Sequence, residues 1–162
     1  MVNMILLRLM KKFNVFKKIY KLFNQKKLNQ ELIEAIQYNN FKRIKYLIDY
    51  GADIHAYDDA LSLSASHGHL EVVKYLVEND ADIHASNDEA LMVSANNGYL
   101  EVVKYFLFDC NMQIKQDTKD WLIKNHQEKT LNLIEKRDLL FKLDKDIIQK
   151  DSVDNLGKKV KI

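Results

Sequence analysis

The sequence predicts an all-α fold in which similar pairs of short helices stack in file. The chain of 162 residues has no proline and only four glycines, a composition unlike that of a β-sandwich. Apolar residues recur at helical spacing through residues 60–110. The same pattern also returns at a fixed interval, since Gly68 and Gly98 lie 30 residues apart, as do Leu70 and Leu100. A period within about 20–50 residues is the signature of stacked repeats.

Residues 1–28 form a basic segment with the pattern of an amphipathic helix. At about 100° per residue, one broad face is apolar. Its members are Val2, Ile5, Leu6, Leu9, Phe13, Phe16, Ile19, Tyr20 and Phe23. Four basic residues lie on the opposite side: Arg8, Lys11, Lys18 and Lys21. Three interpretations stay open, namely a cap over the open end of the stack, a helix on an anionic membrane surface, and an arm that contacts nucleic acid.

The first unit, residues 29–58, is the most worn copy of the pattern. Leu32 occupies the place of Leu61, 29 residues later. Asn39 and Asn40 replace the turn dipeptide Gly-His of the second unit. Because asparagine is the best substitute for glycine at a positive φ, we expect the same turn here.

The second unit, residues 59–88, shows the pattern most clearly. Small residues between Ala60 and Ala65 predict a narrow first helix. Gly68 stands in the turn, where glycine adopts a positive φ without a steric penalty. The second helix follows, with apolar residues at helical spacing: Leu70, Val72, Val73, Leu76 and Val77.

The third unit, residues 89–116, repeats this pattern and departs from it near its C-terminal end. Phe106, Phe108 and Cys110 make its second helix more apolar than its counterparts. We therefore expect the C-terminal part of the chain to lie over Phe108.

Residues 117–149 are predicted to form degenerate capping helices, as the end of a solenoid requires. Leu122 matches Leu91 of the third unit, and Lys129 takes the place of the turn glycine. Residues 150–162 are a polar, lysine-rich tail.

Three segments carry a family resemblance: GADIHA from Gly51, ASHGHLEVVKYL from Ala65, and ANNGYLEVVKYF from Ala95. They resemble the ankyrin repeat, in particular the shortened form common in proteins of large DNA viruses. The resemblance covers about residues 29–116. It implies a helix-turn-helix solenoid with a concave face that binds proteins. The period of 29–30 residues is shorter than the ~33 of the family, so the projecting fingers between units should be stunted.

Composition and charge bound the class of protein. With 47% apolar and 30% charged residues, the chain reads as an ordinary globular protein. The single Cys110 excludes an internal disulfide framework and fits a reducing compartment. No run approaches the ~18 apolar residues of a membrane span, and the opening residues lack the order of a secretory signal. We expect a monomeric, intracellular, cytoplasmic protein that is neither secreted nor membrane-spanning.

The charges are distributed unevenly along the chain. Residues 1–30 carry eight basic and no acidic side chains, whereas residues 31–116 carry 6 basic and 14 acidic ones. An acidic repeat body favours a basic patch on its partner.

Little in the sequence points to catalysis or metal binding. His55 and His84 recur at the same position of successive units, but helix pairs pack about 8–10 Å apart and zinc–nitrogen bonds measure about 2 Å. The glycines are isolated, so no phosphate-binding loop is formed. The acidic pairs Asp58-Asp59 and Asp88-Glu89 precede first helices and are predicted to cap them. We expect no metal, cofactor or catalytic residue, and hence no enzyme.

What remains is a binding surface, at positions that vary while the framework is fixed. These are Gln37, Tyr38, Tyr57, Ser66, His67, Ser86, Asn96 and Asn97. Tyrosine and asparagine supply contact area and adaptable hydrogen bonds, so we expect a protein partner, unidentified by sequence, on a concave face lined by the finger stubs and first helices. Two alternatives stay open. The residues could be solvated surface without a partner, or the chain could be a membrane-surface or nucleic-acid-associated factor acting through residues 1–28.

Overall fold

The computed structural model describes residues 24–55 and 59–159, with side chains described over residues 24–55 and 60–150. Over that part of the chain the structure forms eight helices and no strand. The predicted all-α fold is therefore confirmed. Some predicted site residues lie outside the described residues: Arg8, Lys11, Lys18, Lys21 and Tyr57.

The helices come in pairs, and a turn of three residues joins the two members of each pair. In chain order they are α1 (described over 24–37), α2 (Phe41–Asp49), α3 (Asp59–Ser66), α4 (Leu70–Glu78), α5 (Ala85–Asn96), α6 (Leu100–Lys104), α7 (Gln116–Lys124) and α8 (Glu128–Lys159). The first helices pack on one another in file, α3 on α5 and α5 on α7.

Equivalent residues of successive pairs are buried alike. In the first three pairs these are Leu32, Leu61 and Leu91 on the first helices and Ile44, Val73 and Val103 on the second helices, all at most 4% exposed, and Leu122 and Ile134 of the fourth pair are buried as well. Each such side chain contributes roughly 1.5–3 kcal/mol when it leaves water. Because a single pair leaves one side of this face open, the stack holds together through contacts between neighbours.

The turns depend on residues that adopt a left-handed backbone. Asn39, Gly68 and Gly98 have φ of 52°, 70° and 78°, which confirms the prediction for these three units. In the fourth pair the prediction is wrong, because Lys129 lies within α8 and His126 takes the positive φ, at 54°. The reason is that α7 ends at Lys124, only two residues beyond Leu122, so its turn comes earlier than the 31-residue shift predicts.

The third unit ends differently from the other two. A π-helical turn, Tyr105–Asp109, extends α6 and makes this second helix one residue longer than α4. The left-handed residue after the helix is therefore Asn111 (φ 49°) instead of Cys110 (φ −82°). Although α8 packs against this turn, Phe108 remains 38% exposed, so the expectation that it would be covered is wrong.

Helix α8 is one continuous helix through residues 150–159, so this part of the polar tail is helical. Its first part packs on the stack, with Thr130, Ile134 and Arg137 buried. From Asp138 to residue 150, every side chain is exposed.

Candidate functional site

The stack has two chemically different edges. The first, which we call the turn ridge, comprises the turns within the pairs and their preceding residues: 37–40, 66–69, 96–99 and 125–127. The second, which we call the loop edge, comprises the connections between pairs with the start of α5: 49–55, 78–89 and 109–115. The turn ridge contains no Lys, Arg, Asp or Glu, whereas the loop edge contains eight acidic residues and one basic residue, Lys115.

Contacts between successive turns hold the turn ridge in place. Asn97 Nδ2 donates to the Ser66 carbonyl at 2.7 Å, and His69 Nε2 lies 3.5 Å from the Gln37 carbonyl. The Tyr99 ring covers Gly68 so closely that an added Cβ would lie 2.3 Å from Tyr99 Cδ1. The second and third turns thus rest on the end of the preceding first helix, which constrains this part of the ridge.

The structure gathers six of the eight predicted partner-binding residues on the turn ridge. They are Gln37, Tyr38, Ser66, His67, Asn96 and Asn97. Tyr38 is the most exposed large apolar side chain among them, at 78%. His67 Nδ1 lies 2.9 Å from the Leu63 carbonyl, so its ring is oriented by its own helix.

Ser86 is not brought together with these six residues. It lies on the loop edge, before the regular part of α5, whereas Asn96 lies at the other end of that helix; the regular part, residues 89–96, alone spans about 10 Å. There it lines a groove of ≈ 280 Å³ beside Ile54, His55 and Asp82.

Sequence reasoning missed a pair of apolar side chains on the first helices. Leu63 and Val93 are half-buried at equivalent positions of α3 and α5, 30 residues apart. The repeat interval could have revealed them, had it been applied to the partly exposed positions of the first helices.

A second missed feature is the buried carboxylate of Asp88, which is 0% exposed. Thr118 Oγ1 donates to Asp88 Oδ2 at 2.6 Å, and His84 Nδ1 lies 2.6 Å from Asp88 Oδ1. Among the described contacts Asp88 accepts no backbone N–H, so the predicted helix cap is replaced by a joint between the third unit and α7. Because Thr118 is only 1% exposed, a substrate has no access to its hydroxyl.

At the C-terminal end of the third unit, the surroundings of Tyr105 and Cys110 do not favour catalysis either. Burial raises the pKa of Tyr105, and a hydrogen bond with Cys110 raises it further. Burial also raises the pKa of the Cys110 thiol, which disfavours the reactive thiolate. Lys74 Nζ lies 5.4 Å from the centre of the Tyr105 ring, a structural contact between repeats.

The described ranges contain neither a cluster of metal ligands nor a membrane-spanning helix. Among residues 24–55 and 59–159 there is no group of three or more His, Cys, Asp or Glu side chains placed to hold a metal ion. None of the helices in those ranges combines the length and the apolar character that a membrane crossing demands.

Comparison with known families agrees with this architecture. The model of the family described as ankyrin repeats, in three copies, matches residues 32–120, which is more than half of the chain. No curated protein is similar enough to count as a match. The helix pairs, their left-handed turns and this match lead to one conclusion: the chain belongs to the ankyrin repeat family.

Proposed function

We propose that this protein is a non-catalytic module that binds a protein partner through the turn ridge and the adjoining apolar residues Leu63 and Val93. Ankyrin repeats are generally protein–protein interaction modules. The observation that carries the proposal is the composition of the ridge. In a chain with 30% charged residues, four successive turns contain none, and present tyrosine, asparagine, serine and histidine instead.

Such a surface has the physical properties of a binding site. The centres of protein interfaces are depleted of charge and rich in aromatic residues, and Tyr38 and Tyr99 are 78% and 39% exposed. The contacts from Asn97 to Ser66 and from Tyr99 to Gly68 fix the ridge in advance, so less ordering entropy is lost on binding.

The acidic charge of the loop edge indicates which charge the partner should carry. Asp53, Asp80 and Asp82 are exposed there, and only Lys115 opposes them in those connections. A partner with a basic patch beside its docking surface would be steered toward the stack. We place the centre of the contact face at the turn ridge. The first helices and the finger stubs line the rest of that face.

The test is comparative affinity capture with the full chain and matched tyrosine variants. Tyr38→Ala removes an exposed ridge side chain, whereas Tyr46→Ala removes a 45% exposed tyrosine of α2 away from the ridge. A true partner should be lost with Tyr38→Ala and retained with Tyr46→Ala. The partner, once purified, should bind Tyr38→Ala at least about tenfold more weakly, as expected for an aromatic hot spot. If the captured proteins are all lost with both variants, or all retained with both, the ridge is not the binding surface.

The alternative function, contact with an anionic membrane or nucleic acid, depends on residues 1–28. Of these, Lys26 and Lys27 are exposed on α1, and Lys27 Nζ lies 3.9 Å from Glu31 Oε1. Binding of the full chain to anionic vesicles or to DNA, abolished by salt and insensitive to Tyr38→Ala, would favour this alternative.

A further inference from the structure

The turn ridge has three steps, each from one turn to the next along the stack, and the third step is open. At the second step the Tyr99 ring lies so close to Gly68 that three of its atoms would overlap an added Cβ. At the third step, no atom beyond the chain neighbours, in the described part of the chain, lies within 4 Å of the corresponding position at Gly98. Gly98 is accordingly exposed, whereas Gly68 is half-buried. The two glycines have similar left-handed backbones, with φ of 70° at Gly68 and 78° at Gly98, so the difference comes from the turn that follows each.

A shared backbone hydrogen bond identifies the residue that stands opposite each glycine. In every turn the residue after the left-handed one donates its N–H to the carbonyl five residues earlier, at 2.9 Å for both Tyr99 and Gln127. Gln127 therefore occupies in the fourth turn the place that Tyr99 occupies in the third. Its side chain folds back on its own turn instead, where Nε2 donates to the Asn125 carbonyl at 3.0 Å. Gly98 is left uncovered for this reason.

The open step forms a groove of ≈ 300 Å³ between the third and fourth turns, which we call the Gly98 groove. Exposed polar side chains line it beside the glycine, and we refer to Asn96, Glu128 and Lys129 as its polar rim. The volume lies at the lower end of the roughly 300–1,000 Å³ of ligand pockets. The groove therefore suits one side chain and is too small for a helix or a strand.

The other two steps show which kind of side chain fits such a groove. Each receives a ring from the following turn. His69 Nε2 lies 3.5 Å from the Gln37 carbonyl, and the Tyr99 ring covers Gly68. A flat ring can approach the backbone this closely at Gly68 because glycine carries no Cβ. The third step offers the same kind of glycine, but the fourth turn supplies a glutamine in place of a ring.

We propose that the Gly98 groove binds an aromatic side chain of the protein partner, in the way that Gly68 receives Tyr99. Tyrosine suits the groove best, because its ring would lie on the glycine and its hydroxyl would meet the polar rim. This inference rests on the proposed function, since it names the side chain with which a partner engages the turn ridge. Buried aromatic anchors of this kind contribute much of the binding energy at protein interfaces.

NMR of the full chain with N-acetyltyrosine amide, an uncharged probe, tests the groove. The ring current of the bound phenol should move the Gly98 Hα signal upfield, as is expected for Gly68 beneath Tyr99. N-acetylleucine amide is the matched aliphatic probe, and we expect it to bind about fivefold more weakly because it lacks a ring. An unchanged Gly98 signal at the highest soluble concentration of the tyrosine probe, or equal binding of the two probes, would overturn the proposal.

The variant Gln127→Tyr fills the groove from within the chain. Because it repeats Tyr99, its ring should lie on Gly98, move the Gly98 Hα signal upfield without a probe, and abolish probe binding there. Gln113→Tyr is the matched control, because Gln113 Nε2 likewise donates to a nearby carbonyl, that of Asn111 at 3.2 Å, but lies on the loop edge. It should change neither the signal nor the binding. A Gly98 signal that stays in place in Gln127→Tyr, or probe binding that persists there, would contradict the equivalence of the two steps.

Affinity capture separates this inference from the proposed function. A partner that engages the Gly98 groove should be lost with Gln127→Tyr as well as with Tyr38→Ala, and retained with Gln113→Tyr. Loss with Tyr38→Ala together with retention in Gln127→Tyr would leave the ridge as the binding surface and overturn the groove as part of it. Retention with both Tyr38→Ala and Gln127→Tyr would overturn both proposals.

Discussion

The second and third repeats have nearly the same sequence but differ in structure where they end. Both second helices contain the run LEVVKY, from Leu70 and from Leu100. The second repeat ends in a regular helix with a left-handed Asp80. The third ends instead in the π-helical turn Tyr105–Asp109, and three successive left-handed residues, 86–88, precede the regular part of its first helix, α5.

The difference follows from what each repeat packs against. The second repeat lies between two units like itself. The third must join the cap, and its irregular parts are the ones that contact the cap: Asp88 accepts a hydrogen bond from Thr118 of α7, and α8 packs against the π-helical turn. A left-handed residue other than glycine costs roughly 1–3 kcal/mol, and the hydrogen bond from Thr118 helps to hold the last of the three, Asp88.

The largest effect is expected when the losses of stability caused by Gly68→Val and by Gly98→Val are compared. Both glycines have a positive φ, where a β-branched side chain is poorly tolerated. At Gly68 the new Cβ would also meet the Tyr99 ring, whereas nothing lies within 4 Å of a Cβ at Gly98. We expect a loss of about 3–5 kcal/mol for Gly68→Val and about 2 kcal/mol for Gly98→Val, measured by chemical denaturation.

Equal losses would show that the Tyr99 contact does not distinguish the two turns. A Gly68→Val, Tyr99→Ala double variant sharpens the test, because it leaves the backbone strain and removes the overlap. Its stability, compared with that of Tyr99→Ala alone, should show a Gly68→Val penalty close to the one at Gly98.

The joint at Asp88 should give the next largest effect. Asp88→Ala removes a buried carboxylate and leaves the Thr118 hydroxyl without its acceptor, so we expect a loss of about 3 kcal/mol. Asp88→Asn should lose only about 1 kcal/mol, because asparagine tolerates the left-handed backbone and still accepts a hydrogen bond. Asp82→Ala, an exposed control in the same connection, loses only the hydrogen bond that Asp82 Oδ1 accepts from the His84 backbone N–H, and should cost about 1 kcal/mol or less. If Asp88→Ala were as mild as Asp82→Ala, the carboxylate would not hold the third repeat to the cap.

The sequence predicted the structural features that recur with the repeat period. It did not predict the features of the region in which the repeat period is no longer kept. The helix pairs, the buried leucines and the turns at Asn39, Gly68 and Gly98 all follow from local pattern. The turn at His126 and the exposure of Phe108 do not follow from local pattern. The position of the turn depends on the shortening of α7, and the exposure of Phe108 depends on how α8 packs against the π-helical turn. Six of the predicted partner-binding residues share one edge because turn residues recur at the same interval. The Asp88–Thr118 contact joins residues 30 positions apart with no shared motif, so local pattern offered no signal for it.

The smallest expected effect compares the equivalent tyrosines Tyr75 and Tyr105 at alkaline pH. Burial raises the pKa of both phenols above the ordinary value of 10.0, and that of Tyr105 is raised further by its hydrogen bond with Cys110. The folded state therefore keeps the proton where the unfolded chain releases it, so stability present below about pH 10 is lost as the pH rises. We expect Tyr105→Phe to flatten the fall in melting temperature between about pH 9 and 11, and Tyr75→Phe to flatten it less, because its shift is smaller. Melting curves followed by circular dichroism at each pH decide the matter. An equal effect of the two substitutions would mean that the irregular exit of the third repeat encloses its tyrosine no better than the regular helix of the second.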